Sequence, residues 1–273
     1  MLELRIITSV VLALVVGSAL LLLPPIWLTP VLALLLLGVG GWEAAGLAGL
    51  AGTPARLAWC ALLGVLAAAA IALLHQQAVE PWLLAFAAAL WLVWPMWLAR
   101  PVWGFAAARS GRVEPLKLLL QALILIGAVL AIAWLHVQSP WWVIWLLLVV
   151  AGADVGAYFS GMAIGGAKLA PSISPGKTWA GVFGGLLISA LVAMLAARVL
   201  PEVALALLPA AVLALILAPL SVCGDLLFSL LKRQRGLKDT SALLPGHGGL
   251  LDRIDGLVAA APFCALAVWW LGQ

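Results

Sequence analysis

An all-α polytopic bundle of about nine transmembrane helices is the fold class this sequence predicts, and three observations carry it. Only 9% of the 273 residues are charged and 66% are hydrophobic, with a mean hydropathy of +1.24. A soluble domain carries about 25% charged residues, so this chain cannot cover its own surface with polar groups. The apolar residues form continuous runs of about twenty, enough to cross a bilayer as a helix, and not the alternating stretches of about ten that build a β-barrel. The Lys and Arg residues then fall almost entirely on one side of those runs.

In chain order, Arg5 precedes a first run from Ile6 to Leu23 that stops at Pro24-Pro25. It exceeds the roughly 7–15 apolar residues of a signal peptide and has no clear cleavage signal, so it reads as a retained span. The second span runs from Ile26 to Gly46, with Glu43 near its end as an interfacial carboxylate. Further spans are expected at 57–74, 82–99, 116–135, 140–161, 178–199, 203–228 and 256–272. Pro95 falls inside the fourth and predicts a kink. Two tryptophan clusters, Trp91, Trp94 and Trp97, then Trp141, Trp142 and Trp145, suit an aromatic belt at the membrane interface. Cys60, Cys223 and Cys264 lie in or beside apolar runs without CxxC spacing and read as buried thiols. No internal repeat is visible, so a transporter built from two related halves gains no support. The expected organisation is an N-terminal helical scaffold, 1–135, followed by a C-terminal helical region, 136–273, whose loops 163–177 and 232–253 carry the chemistry.

Nine spans place Arg5, Arg56, Arg100, Arg109, Arg112, Lys117, Lys168, Lys177, Lys232, Arg233, Arg235, Lys238 and Arg253 on one side and leave only Arg198 on the other. That is the positive-inside pattern, with the N-terminus and the polar loops cytoplasmic and the C-terminus outside. The net charge of +4 follows this loop bias and is no nucleic-acid footprint. Within the loop from Arg100 to Lys117, Arg109 and Arg112 read equally well as lipid-phosphate contacts or as a topology anchor.

Chemistry is sought where charge is dense. Asp154 lies late in an apolar span with Tyr158 one turn on, and a carboxylate inside a span marks a functional site by default. The stretch from Ser174 to Thr178 contains Gly-Lys-Thr, yet Pro171 stands where a P-loop needs glycine and the flanks are membrane helices. Two readings of it remain: Ser174 and Lys177 as phosphate ligands at the start of a helix, or a cap with a topology lysine. The segment from Ser229 to Asp255 holds Lys232, Arg233, Arg235, Lys238, Asp239, Asp252, Arg253 and Asp255, with Asp225 just upstream. If the eighth helix continues through Arg233, then Asp225, Ser229 and Lys232 share one face, and Asp252 and Asp255 are neighbours at the start of the ninth. Facing acids without a His/Cys set suit Mg²⁺, which is held by one or two carboxylates plus substrate phosphates. The glycines of Pro245-Gly-His-Gly-Gly249 permit close backbone approach, leaving N–H groups to cradle an anion. Acids for a metal among cations for phosphates, at a membrane surface, point to phosphoryl or nucleotidyl transfer with a lipid reactant.

At these residues the chain resembles the phosphatidate cytidylyltransferase (CDP-diacylglycerol synthase) family. Ser229, Lys232, Arg233, Lys238, Asp239, Ser241, Pro245, His247, Gly248, Gly249, Asp252, Arg253 and Asp255 fill its C-terminal motif without a gap, and Asp154, Tyr158 and Ser174 to Thr178 are similar to its preceding motif. The resemblance implies transfer of the cytidylyl group of CTP to phosphatidate with Mg²⁺, and room for a second, monovalent or divalent, cation. It implies Asp225, Asp252 and Asp255 as metal-binding acids, with Lys232 beside them as catalytic. Ser174, Lys177, Thr178, Ser229, Arg233, Lys238, His247, Gly248, Gly249, Arg253, Asp154 and Tyr158 would contact substrate, with His247 a ligand and not a base. It also implies a homodimer in the cell's inner membrane, its polar cavity opening to the cytoplasm. Two rivals make different demands. CDP-alcohol phosphatidyltransferases need an acid spacing that Asp252 and Asp255 do not fit, and an ion-coupled transporter would place Asp154 and Asp225 on its pathway.

Overall fold

The computed structural model describes residues 2–75, 81–98, 113–243 and 248–272. Nine helical segments follow one another there: α1 Leu2–Leu22, α2 Pro25–Leu47, α3 Thr53–His75, α4 Pro81–Leu98, α5 Pro115–Gln138, α6 Pro140–Ile164, α7 Trp179–Val199, α8 Leu207–Gln234 and α9 Leu251–Leu271. Between α6 and α7 lies a short antiparallel hairpin, β1 Lys168–Ala170 and β2 Ser174–Thr178, which departs from the all-α expectation. Six helices, α2 and α5 to α9, are long and apolar enough to cross a membrane. The helices α1, α3 and α4 are 21, 23 and 18 residues long, and their described apolar stretches are Val10–Leu22, Thr53–Ala69 and Pro81–Val93. The chain is thus a polytopic helical membrane protein, with six helices of spanning length and composition among the described residues.

Local chemistry explains where the helices start and stop. Proline opens α2, α5 and α6, where the N–H it lacks would have no partner anyway. Ser139 caps α6 by accepting from the Trp141 N–H (3.2 Å), and Thr178 caps α7 by accepting from the Gly181 N–H (3.1 Å). Both α2 and α8 end on a left-handed glycine, Gly49 and Gly236. Past these, the N–H of Leu50 bonds Ala45 O and that of Leu237 bonds Lys232 O, each at 2.9 Å. Within α2 a π-helical stretch, Leu34–Val39, presents the Gly38 carbonyl to the Cys60 thiol at 3.4 Å. The helix α4 continues through Pro95.

Lipid tails are as apolar as leucine, so these helices associate by close packing and not by hiding an apolar face. Along the α6–α7 seam a Cβ at Gly156 would stand 2.6 Å from Gly184 O, and one at Gly185 would stand 2.7 Å from Ala153 O. Backbone therefore touches backbone. Trp145 is fully buried at this seam and donates its indole N–H to Ala193 O at 3.1 Å. Trp91 is buried as well, so these two belong to the core and not to an aromatic belt. The side chains of Trp94 and Trp97, like Arg100, Arg109 and Arg112, lie outside the described residues. One apolar core includes Leu20 of α1 and Val268 of α9 and crosses the 135/136 boundary.

The polar segments gather at one end. There the Glu114 N–H bonds Ala48 O (2.9 Å), joining the start of α5 to the end of α2. Lys117, expected in a loop, is instead buried in α5, with Nζ on Glu114 (2.7 Å) and on the side-chain oxygen of Gln234 (2.6 Å). Arg235 donates to Leu47 O at 2.9 Å and pairs with Glu114 at 3.2 Å. The end of α8 is thereby tied to both α2 and α5. Because the α6–α7 seam has no room for a side chain, Gly156→Val should cost about 1–3 kcal/mol. It is read as a lowered unfolding temperature in detergent, and an unchanged temperature would mean the seam opens freely.

Candidate active site

The helices α8 and α9 cross with glycine on each side. A Cβ at Gly224 would lie 2.8 Å from the Ala259 Cβ, and the Ser221 side chain fills the space that a Cβ at Gly256 would need. This contact sets the acid beside each glycine, Asp225 after Gly224 and Asp255 before Gly256, within electrostatic range of one another. Asp225 accepts from the Ser229 hydroxyl (3.0 Å), so the expected shared face is real, and pairs with Lys177 of β2 at 2.6 Å. Asp255 accepts from the Gly256 N–H at 2.8 Å. Asp154 of α6 lies within electrostatic range of Lys177, Asp225 and Arg253. Three helices and the hairpin thus bring acids and cations from both predicted loops together.

A second centre forms around Asp252, in the first turn of α9. Its Oδ1 accepts from Lys232 Nζ at 2.6 Å, an ion pair whose side chains are 9% and 4% exposed. Its Oδ2 accepts from the N–H groups of Thr240 (2.8 Å) and Gly249 (2.9 Å) and lies 3.0 Å from the Thr240 hydroxyl. The N–H of Gly249, expected to cradle a substrate anion, therefore meets the protein's own carboxylate. Gly248 stands at φ +81, where a Cβ would come within 2.7 Å of Asp252 Oδ2, so only glycine closes this turn.

Glu43, read from the sequence as an interfacial carboxylate, is 3% exposed and sits under the same loop. It accepts from the hydroxyls of Ser241 (2.6 Å) and Thr240 (2.9 Å) and from the N–H groups of Leu250 (3.0 Å) and Leu251 (2.8 Å). The signal that could have found it was its position: an acid inside an apolar run is functional by default.

The other expected residues divide by place. Arg233 donates to Ile173 O (3.4 Å) and Leu237 O (3.1 Å), bridging the hairpin turn to the end of α8. Lys238 and Arg253 are exposed, Ser174 is half-buried in β2, and buried Thr178 spends its hydroxyl on the α7 cap. Tyr158 is exposed with its ring edge against Phe159. His247 lies outside the described residues.

Mg²⁺ can be tested against these donors. Among the described residues no group of three or more His, Cys, Asp or Glu side chains could hold a metal alone. Mg²⁺ needs fewer protein ligands when phosphates supply the remainder. The pair Asp225 and Asp255 offers two hard-oxygen groups on facing helices, with their mutual repulsion to be relieved by a cation. The donor chemistry fits. At Asp252 each oxygen already has a donor, so an ion there replaces Lys232 on Oδ1.

The description in the family model that matches residues 3–271 is the cytidylyltransferase family. The chain belongs to that family. The phosphatidate cytidylyltransferase of Pseudomonas aeruginosa is 40% identical over 239 residues, covering 86% of this cytidylyltransferase and 85% of the relative. That of Brucella suis is 50% identical over 127 residues, 44% of this chain and 43% of the relative. That of Haemophilus influenzae is 45% identical over 123 residues, again 44% and 43%.

Removing one partner of a buried ion pair costs about 3–5 kcal/mol, because the other charge is left alone. Asp252→Asn and Lys232→Met in this cytidylyltransferase should each lower the unfolding temperature strongly. The double variant should lose clearly less than the two losses together. Additive losses would show that the two side chains act independently.

Proposed function

We propose that the chain transfers the cytidylyl group of CTP to phosphatidate, giving CDP-diacylglycerol and pyrophosphate. The observation that carries this is the Pseudomonas aeruginosa phosphatidate cytidylyltransferase, which is similar along most of both chains. The polar end supports it chemically, since acids for a divalent ion stand there among cations for phosphates.

In the reaction a phosphate oxygen of phosphatidate attacks the α-phosphorus of CTP. The bond from that phosphorus to the oxygen bridging to the β-phosphate breaks, and pyrophosphate leaves. The nucleophile is already an anion at neutral pH, so positioning and charge stabilisation are the protein's main task. Bound Mg²⁺ would supply charge neutralisation on the triphosphate, held by Asp225 and Asp255, and by Asp252 where Lys232 gives way. A second cation would share the same acids. Lys177 and Lys232 each rest on a carboxylate here, and incoming phosphates compete with those carboxylates for them. Exposed Arg233, Lys238 and Arg253 ring the same end as first contacts for an anionic nucleotide. Ser174, Tyr158, Ser229, Gly248 and His247 are substrate contacts implied by the family resemblance.

The same reading makes the chain a cell-membrane protein of nine spans whose polar end opens to the cytoplasm, where CTP is found. The distribution of Lys and Arg supports that orientation. A homodimer is implied by the resemblance alone.

Purified protein given phosphatidate, CTP and Mg²⁺ should release pyrophosphate and form CDP-diacylglycerol in equal amounts. Asp225→Asn should reduce that rate by roughly 10²-fold or more while the protein still folds. Substrate flux across vesicles without pyrophosphate release would instead favour a transporter.

A further inference from the structure

Glu43 lies in the part of the chain expected to be scaffold, yet it underpins the loop that carries the family motif. Its two oxygens take two hydroxyls and two backbone N–H groups. The two N–H groups are those of Leu251, which opens α9, and of Leu250 just before it, where the helix dipole favours an anion. The Glu43 carboxylate therefore caps α9 from another helix and holds the loop strand at Thr240 and Ser241 against the same point.

From there a chain of contacts leads to a cation of the candidate site. The Thr240 hydroxyl stands between two carboxylates, 2.9 Å from Glu43 Oε2 and 3.0 Å from Asp252 Oδ2. Asp252 in turn holds Lys232. The hydroxyl has one proton and donates it to one carboxylate at a time, while the Thr240 N–H stays on Asp252 Oδ2 at 2.8 Å, so Thr240 is in contact with both acids. Gly249 belongs to this arrangement: a Cβ there would lie 2.5 Å from Glu43 Oε1. The last glycine of the motif thus makes room for Glu43.

We infer that Glu43 is a positioning residue for the cytidylyl-transfer site, acting through Thr240 and Asp252 on Lys232. This rests on the function proposed above, and its consequences separate from that function's. Glu43→Ala frees four donors at once and lets the loop leave α2. Thr240→Val removes only the link between the two carboxylates and leaves Ser241, Leu250 and Leu251 on Glu43. Thr240→Ser keeps the link.

Two readouts decide it, turnover kinetics and the rate of tryptic cleavage after Lys238, which is exposed on the loop. Glu43→Ala and Thr240→Val should lower kcat roughly 10–100-fold, as small misplacements of charged groups do. KM for CTP should change much less, and cleavage after Lys238 should accelerate in Glu43→Ala. Thr240→Ser should restore wild-type kcat. Wild-type kcat in folded Glu43→Ala or in Thr240→Val would overturn the inference, as would equal losses in Thr240→Val and Thr240→Ser. If Glu43→Ala does not fold, the two Thr240 variants decide alone. If the wild-type protein makes no CDP-diacylglycerol, the proposed function fails, and unchanged cleavage in Glu43→Ala would then sink the positioning role separately.

Discussion

A carboxylate buried beside a bilayer must be met by donors from the protein itself, because hydrocarbon offers none and water is scarce. At the polar end of this bundle that constraint organises the loops. Asp252 takes a lysine and two backbone N–H groups, and Glu43 takes two hydroxyls and two N–H groups, while the partly exposed Asp225 takes a lysine and a hydroxyl. Each set of donors comes from more than one element. Satisfying the acids therefore fixes the hairpin, the loop after α8 and the start of α9 relative to one another.

The two lysine pairs differ in weight. Lys232 and Asp252 are almost fully buried, whereas Lys177 and Asp225 are 24% and 36% exposed. Water and salt screen the second pair, which adds little stability. It is consequently the looser contact of the two. The buried pair belongs to the framework and yields only to a charge that replaces Lys232 where it stands.

What could be read from the sequence follows from how far apart the partners lie. Apolar runs of spanning length show through composition alone, and the helices found begin and end within six residues of those expected, the largest departures being the late end of α8 and the early start of α9. The bond between Ser229 and Asp225 is four residues long and was visible as helical spacing. Glu43 was not visible in its role, since Thr240 and Leu251 lie 197 and 208 residues further along. Lys117 hid for the same reason, its partner Gln234 being 117 residues away. Trp91 and Trp145 were misplaced for a different one. In a membrane helix the inward and lipid-facing sides are both apolar, so no amphipathic pattern tells core from surface. Small residues mark the inner face instead, as Gly156 and Gly185 do between α6 and α7.

That marking has a chemical consequence where α8 meets α9. Gly224 and Gly256 let two backbones touch, and each precedes or follows an acid, Asp225 and Asp255. Close approach of two carboxylates at low dielectric opposes folding, so such a crossing persists only with cations nearby. Lys177 and Lys232 both lie within electrostatic range of Asp255 and meet that need in the resting protein. Packing that a helix pair adopts for want of side chains is thus what concentrates negative charge at the polar end of the bundle.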